Sequence, residues 1–421
     1  MTPWKIRGLG VGLLAGACAL NAAPAWADTA PDLTASDTGD YAALILGHAF
    51  LSQPDATYMQ EIVDTYVNNP TDFGQAAYNV VNNVSVYTPE TDYQSGLTQG
   101  IADLDGQLQP LLTANPDADL VVAGYSMSTA IQTQEMINLA AAGVTDPNLK
   151  FVLAENLQNP DGGFFTRFPD MFGATLPATP ADTPFDTTIY TIEYSGASDF
   201  PQYYGNLFAD MNAANGYLDL HPYLLPGWPA YFDPSTVANA VQDTNLSDGF
   251  NGNTEYFLIP TQNLPLLDGL HAIGGTSPYV DMMQPDMRVL VDLGYNWTGD
   301  ADVATAATMS NPDIDFTAVN DYLDAGANQG MLVALVDLGL LPQSDLADIA
   351  NLYPYVPDVA NLMGGALTDN DAAALDASMS ATALTDALSE STNPFVVEFG
   401  SLFTQMAAST ADFYQMLASS L

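Results

Sequence analysis

The chain has 421 residues, 48% of them hydrophobic, and sets 5 lysines and arginines against 50 aspartates and glutamates, for a formal net charge of −45. That hydrophobic content supports a packed core, while scattered negative charge excludes binding to nucleic-acid phosphates or anionic lipid headgroups. Cys18 is the single cysteine, so disulfide frameworks, thiol chemistry and cysteine-ligated zinc are excluded from everything that follows it.

In chain order, "MTPWKIRGLGVGLLAGACALNAAPAWADTA" opens with Lys5 and Arg7, continues with an apolar stretch from Leu9 to about Leu20, and closes on Ala25-Trp26-Ala27. This pattern predicts a secretory signal peptide over residues 1–27, cleaved after Ala27, too short in its apolar part for a permanent membrane span. A lipoprotein anchor on Cys18 is the weaker rival, because Leu14 stands one residue too far upstream. Residues 28–40 read as a linker. Strands are predicted at "YAALILG" (41–47), "NVSVYTP" (83–89), "ADLVVAG" (118–124), "LKFVLAEN" (149–156) and "TTIYTIEYS" (187–195). Helical patterns at 57–67, 93–112 and 127–143 alternate with them. The alternation argues for an α/β fold with a mainly parallel sheet covered on both faces. Residues 157–186 read as a long loop rich in Pro, Gly and Phe, and the aromatic, proline-containing stretch 217–268 as a roof over a cleft. The Ala/Leu/Asp-rich remainder, 297–421, reads as a separate all-helical region.

The chemistry centres on "VVAGYSMSTA", where a strand breaks at Gly124-Tyr125-Ser126-Met127-Ser128 and a helix follows. This is a G-x-S-x-G nucleophile elbow with Ser128 in place of the second glycine. It predicts an α/β-hydrolase fold with Ser126 as nucleophile and the backbone N–H of Met127 as an oxyanion donor; a helix N-cap is the alternative role for Ser126. The loop after the first strand, Gly47-His48-Ala49, is the candidate for the second oxyanion donor. The chain has three histidines, His48, His221 and His271. The order serine, acid, histidine removes His48 as the base, and His221, in an irregular segment before a proline, is preferred to His271. Asp199 lies just past the strand ending at Ser195, which makes it the candidate acid; Asp219, two residues from His221, is the poorer one.

The blocks "GYSMS", "VLAENLQNPDGGFFTRFP", "YSGASDFPQYYGNLFADMNAANGYLDLH", "YFLIPTQNLPLLDGL" and "DMMQPDMRVLVDLGY" together resemble the actinobacterial PE-PPE domain, over residues 41–296. The resemblance implies a serine α/β-hydrolase of cutinase or lipase type. Its motif G-x-S-x-[SG] accommodates Ser128, and its nucleophile, acid and base fall on Ser126, Asp199 and His221. Two departures are Ser195, where the family often has an aspartate, and "GHAF", where it has a glycine-rich loop. The expectation is a secreted serine esterase acting on acyl esters of lipid-like or shorter alcohols, without metal or cofactor, with cell-envelope association left open. An acyltransferase with the same triad, passing its acyl group to a sugar or lipid hydroxyl, and a non-catalytic envelope-binding protein are the alternatives.

Overall fold

Short runs of β-branched and apolar residues, each ending in a turn-forming cluster, become the strands of one seven-stranded sheet. The structure, a computed structural model, describes residues 41–340 apart from 50, 69–79, 90–92, 115–118, 173–175, 222–236, 238–239, 262, 268–277 and 313. The strands are β1 (Tyr41–Leu46), β2 (Val80–Val86), β3 (Leu120–Tyr125), β4 (Leu149–Ala154), β5 (Asp186–Ile192), β6 (Val241–Asp243) and β7 (Thr254–Ile259). They lie in the order β2-β1-β3-β4-β5-β7-β6, with every pairing parallel except that of β6 with β7. The helices between them are α1 (Ala56–Ile62), α2 (Tyr93–Ala114) and α3 (Met127–Ala141), then the single turns α4 (Phe164–Arg167) and α5 (Pro169–Phe172). They continue with α6 (Leu207–Asp219), α7 (Pro278–Asp292) and α8 (Phe316–Asp337).

Both sheet faces are buried, as parallel pairing requires. One face, with Ile45, Ala123, Val152, Tyr190, Ile192 and Phe257, packs against residues of α1 and α7. Leu44, Val122, Phe151, Leu153 and Ile189, one pleat out of phase, are equally buried. Alternating connections and strand order together give an α/β-hydrolase fold.

Four expectations are refined. The helix expected over 57–67 divides into α1 and a π-helical turn, Val63–Val67, whose wider winding keeps Val63, Tyr66 and Val67 all buried. The loop 157–186 contains α4 and α5. The stretch 217–268 is more than a roof, because it supplies β6 and β7; "TEYFLI" buries its aromatic residues in the sheet, and its flanking Asn, Gly and Pro residues hide the strand. Of the region 297–421, residues 341–421 lie outside the described set. Its first part is not helical but runs back over the α/β unit, where Tyr203 bridges Thr308 and Arg167 Nη1 donates to Thr305 O (2.9 Å). Helix α8 then starts at Asp315, whose carboxylate accepts from the N–H groups of Thr317 and Ala318, and packs along α7.

Candidate active site

Parallel strands deliver their carboxyl ends to one edge of the sheet, and the segments leaving them share that edge. Among the described residues, three non-glycine residues there have left-handed backbones: Ser126 after β3 (φ 60°), Glu155 after β4 (φ 55°) and Tyr194 after β5 (φ 66°). Each conformation costs roughly 1–3 kcal/mol, so the surroundings must hold it. Ser126 N donates to Ala154 O (3.0 Å), while its own carbonyl accepts from Thr129 N (3.0 Å) and Thr129 Oγ1 (2.6 Å). Gly124 cannot carry a side chain, since a Cβ would meet Ser128 Oγ at 2.4 Å and Gln132 Nε2 at 2.2 Å. Ser128, in the second-glycine position, fits because its hydroxyl accepts from Tyr125 N (2.9 Å) and donates to Tyr125 O (3.0 Å). The substitution closes the elbow with its own side chain.

His221 comes from the end of α6. Asn206 caps that helix by accepting from Phe208 N (3.1 Å) and Ala209 N (3.2 Å). Gly216 lets the helix approach the turn after β5, where a Cβ would lie 1.8 Å from Tyr194 O. His221 N then donates to Gly216 O (3.1 Å), and Tyr125 OH donates to His221 O (2.8 Å). The ring of Tyr217 stacks on the imidazole at 5.1 Å and 13°. So positioned, His221 Nε2 lies 2.7 Å from Ser126 Oγ.

The carboxylate on the other imidazole nitrogen is Glu155, with Oε2 3.0 Å from His221 Nδ1. Its Oε1 accepts from Ser198 Oγ (2.6 Å) and Ile192 N (2.8 Å), and the residue is 1% exposed. These two donors fix the carboxylate beside the imidazole. Asp199, the acid expected from chain position, is elsewhere. The chain turns back at Tyr194 and Gly196 (φ 69°), and Asp199 Oδ2 accepts from Tyr194 N (2.7 Å). Burial pushes its carboxyl well above the usual range, with the neighbouring Glu193 charge adding to the shift and the Tyr194 hydrogen bond and the positive Arg167 opposing it. Asp199 is thus engaged at the Tyr194 turn, while His221 Nδ1 faces Glu155. In the sequence Glu155 is only a glutamate ending the apolar run "FVLAE", one strand from the serine; the order serine, acid, histidine admits it as well as Asp199, and only the fold tells the two apart.

Met127 begins α3, so its N–H has no partner within the helix and lies next to Ser126. Residues Gly47, His48 and Ala49 leave β1 at the same edge, because Ile45 pairs with Ala123 three residues before Ser126. Gly47 is required there, since a Cβ would meet Leu51 O at 1.9 Å, and His48 packs edge-on against Tyr58 at 5.7 Å. The His48 ring turns its Nδ1 to Ala49 O, which leaves the backbone as the part of this loop able to serve as donor. His271, the signal segment 1–27 and the linker 28–40 lie outside the described residues. Among the described residues no three His, Cys, Asp or Glu side chains are arranged to hold a metal ion, and no helix is long and apolar enough to cross a membrane.

A hydroxyl on a strained elbow, hydrogen-bonded to an imidazole that is braced by a carboxylate, is suited to acyl transfer. Comparison with known proteins agrees with the architecture. The PE-PPE domain family model matches residues 57–296. PE family protein PE3 of Mycobacterium tuberculosis is 38% identical over 344 residues, 77% of this chain and 67% of that protein. Esterase PE16 of the same organism is 36% identical over 71% of this chain, which spans 56% of it. SL1278 acyltransferase Chp1, also from M. tuberculosis, is 27% identical over 70% of both chains. The chain belongs to the PE-PPE domain family.

Proposed function

We propose that the protein is a secreted serine ester hydrolase in which Ser126, His221 and Glu155 form the catalytic triad. The observation that carries this reading is the continuous relay from Ser126 Oγ to His221 Nε2 (2.7 Å) and from His221 Nδ1 to Glu155 Oε2 (3.0 Å). Ser126 Oγ attacks the ester carbonyl as His221 Nε2 takes its proton. Glu155 holds the Nδ1–H tautomer and balances the imidazolium. The N–H of Met127, with a backbone donor from Gly47-His48-Ala49, receives the oxyanion. His221 returns the proton to the leaving alcohol, and water, activated by the same imidazole, releases the acid from Ser126. Secretion rests on the signal pattern of residues 1–27, and a lipid-like acyl ester in the cell envelope is the proposed substrate setting. Esterase PE16 supports hydrolysis.

Transfer of the acyl group to an alcohol is the second reading, supported by SL1278 acyltransferase Chp1 and Diacyltrehalose acyltransferase Chp2 among the relatives. Incubating the protein with a p-nitrophenyl acyl ester, with and without a sugar acceptor, tests both. Free acid alone identifies a hydrolase, acylated sugar a transferase, and no p-nitrophenol release that depends on Ser126 defeats both readings.

A further inference from the structure

A partly open cavity of about 290 Å³ lies against β5, β7 and β6, bordered by residues of the segments 159–167 and 295–301. Ser126, His221 and Glu155 do not line it. Three of the residues that do, Asn159, Tyr256 and Tyr295, are 5%, 4% and 1% exposed. Asn159 Oδ1, Tyr256 OH and Tyr295 OH have no hydrogen-bond partner among the described residues. Buried polar atoms are normally paired, so three orphans around one cavity mark a place where something else supplies the partners.

The chemistry of the walls selects that partner. Arg167 is the cavity's single cation among the described residues, and it is already engaged by Asp161 (2.7 Å), Phe200 O (3.0 Å) and Thr305 O (2.9 Å). Asp199 and Asp243 also face the space, so an anion finds no counter-charge. No three acidic or imidazole groups among the described residues converge as metal ligands, and burial raises both carboxyls, that of Asp243 to about 6. Phenol and carboxamide groups, which both donate and accept, match hydroxyl groups, which do the same. Trp297, half-buried and stacked on Tyr295 at 5.0 Å and 10°, lines the cavity with an apolar ring suited to the C–H face of a ligand ring. We infer that this cavity is a binding site, separate from Ser126, for a neutral polyhydroxylated ligand of the size of a sugar unit.

The test titrates Ser126→Ala protein, which cannot turn over, with glucose, galactose, mannose, arabinose and maltose by calorimetry and Trp fluorescence. At least one sugar is expected to bind saturably. Tyr256→Phe and Tyr295→Phe, which remove one oxygen each, are expected to weaken it about tenfold at unchanged melting behaviour. The same phenol changes on a wild-type background should leave labelling of Ser126 by a fluorophosphonate unaltered, which separates this site from the proposed catalytic one. The inference is overturned if no sugar of the panel binds, if the two Phe variants bind as tightly as the parent, or if phosphonylation of Ser126 in the wild type abolishes binding.

Discussion

At the scale of single residues, the site is a set of strained or unusually close positions held by specific hydrogen bonds. Ser198 is the clearest example: its hydroxyl donates to Glu155 Oε1 at 2.6 Å and touches neither Ser126 nor His221 among the described contacts. Ser198→Ala should lower kcat about tenfold with KM nearly unchanged, because one hydrogen bond to a charged group contributes roughly 1.5–3 kcal/mol and acts here only by orienting the acid. Steady-state kinetics on an activated ester check this, and an unchanged kcat would show that Glu155 is held without it. Gly124-x-Ser126-x-Ser128 is legible as an elbow from the sequence, and a chain with only three histidines leaves little choice beyond His221 for the base. Glu155 is not legible in the same way. Its assignment depends on a left-handed turn that brings a strand-end glutamate beside a histidine 66 residues further on, a coincidence in space with no periodicity to announce it.

At the scale of elements, α6 and α7 carry the site against the sheet. Gly216→Ala would place a methyl group 1.8 Å from Tyr194 O, so the helix must lift and carry His221 with it. The variant should remain foldable, melt lower, and lose at least tenfold in kcat; a fully active Gly216→Ala protein would show that His221 is positioned independently of α6. Helix α7 is anchored by Arg288, whose Nη2 meets Glu193 Oε1 at 2.6 Å and whose Nη1 donates to Thr261 O at 2.9 Å, with both members of the ion pair buried. Arg288→Ala leaves Glu193 charged and unpaired, and should destabilise the fold by about 3–5 kcal/mol in urea titration; a loss below about 1 kcal/mol would mean that water reaches Glu193. The parallel strands and their crossover helices are legible from alternation of apolar runs with helical periodicity. The edge pair β6–β7 is not, because short strands inside an aromatic, proline-containing stretch look like loop until the neighbouring strand is in place.

At the scale of the whole molecule, charge dominates. Beyond residue 27 the cations are Lys150, Arg167 and Arg288; Arg167 and Arg288 are buried in ion pairs and Lys150 meets Asp186 at 3.8 Å. Burial pushes Glu135, Asp286 and Asp292 up to about 7, and Asp210 and Asp243 to about 6. In the unfolded chain such groups titrate near ~4. Between about pH 4 and 7 the native state therefore holds more protons than the unfolded one, and stability falls as pH rises through that window. The melting temperature should be higher at pH 5 than at pH 8, and added NaCl should raise it at pH 8 by screening self-repulsion. A melting temperature that falls on going from pH 8 to pH 5 would contradict this. Net charge is legible from composition alone; which carboxyls are buried, and so which way acid moves stability, is not.

The most direct test of the central claim is the rate at which a fluorophosphonate labels Ser126 in four proteins: wild type, Ser126→Ala, Glu155→Gln and Asp199→Asn. The account predicts no labelling of Ser126→Ala, labelling of Asp199→Asn within a few-fold of wild type, and a fall of about 10²-fold or more for Glu155→Gln, whose amide holds the imidazole without balancing its charge. Wild-type labelling of Glu155→Gln together with its loss in Asp199→Asn would contradict the triad and return the acid to Asp199.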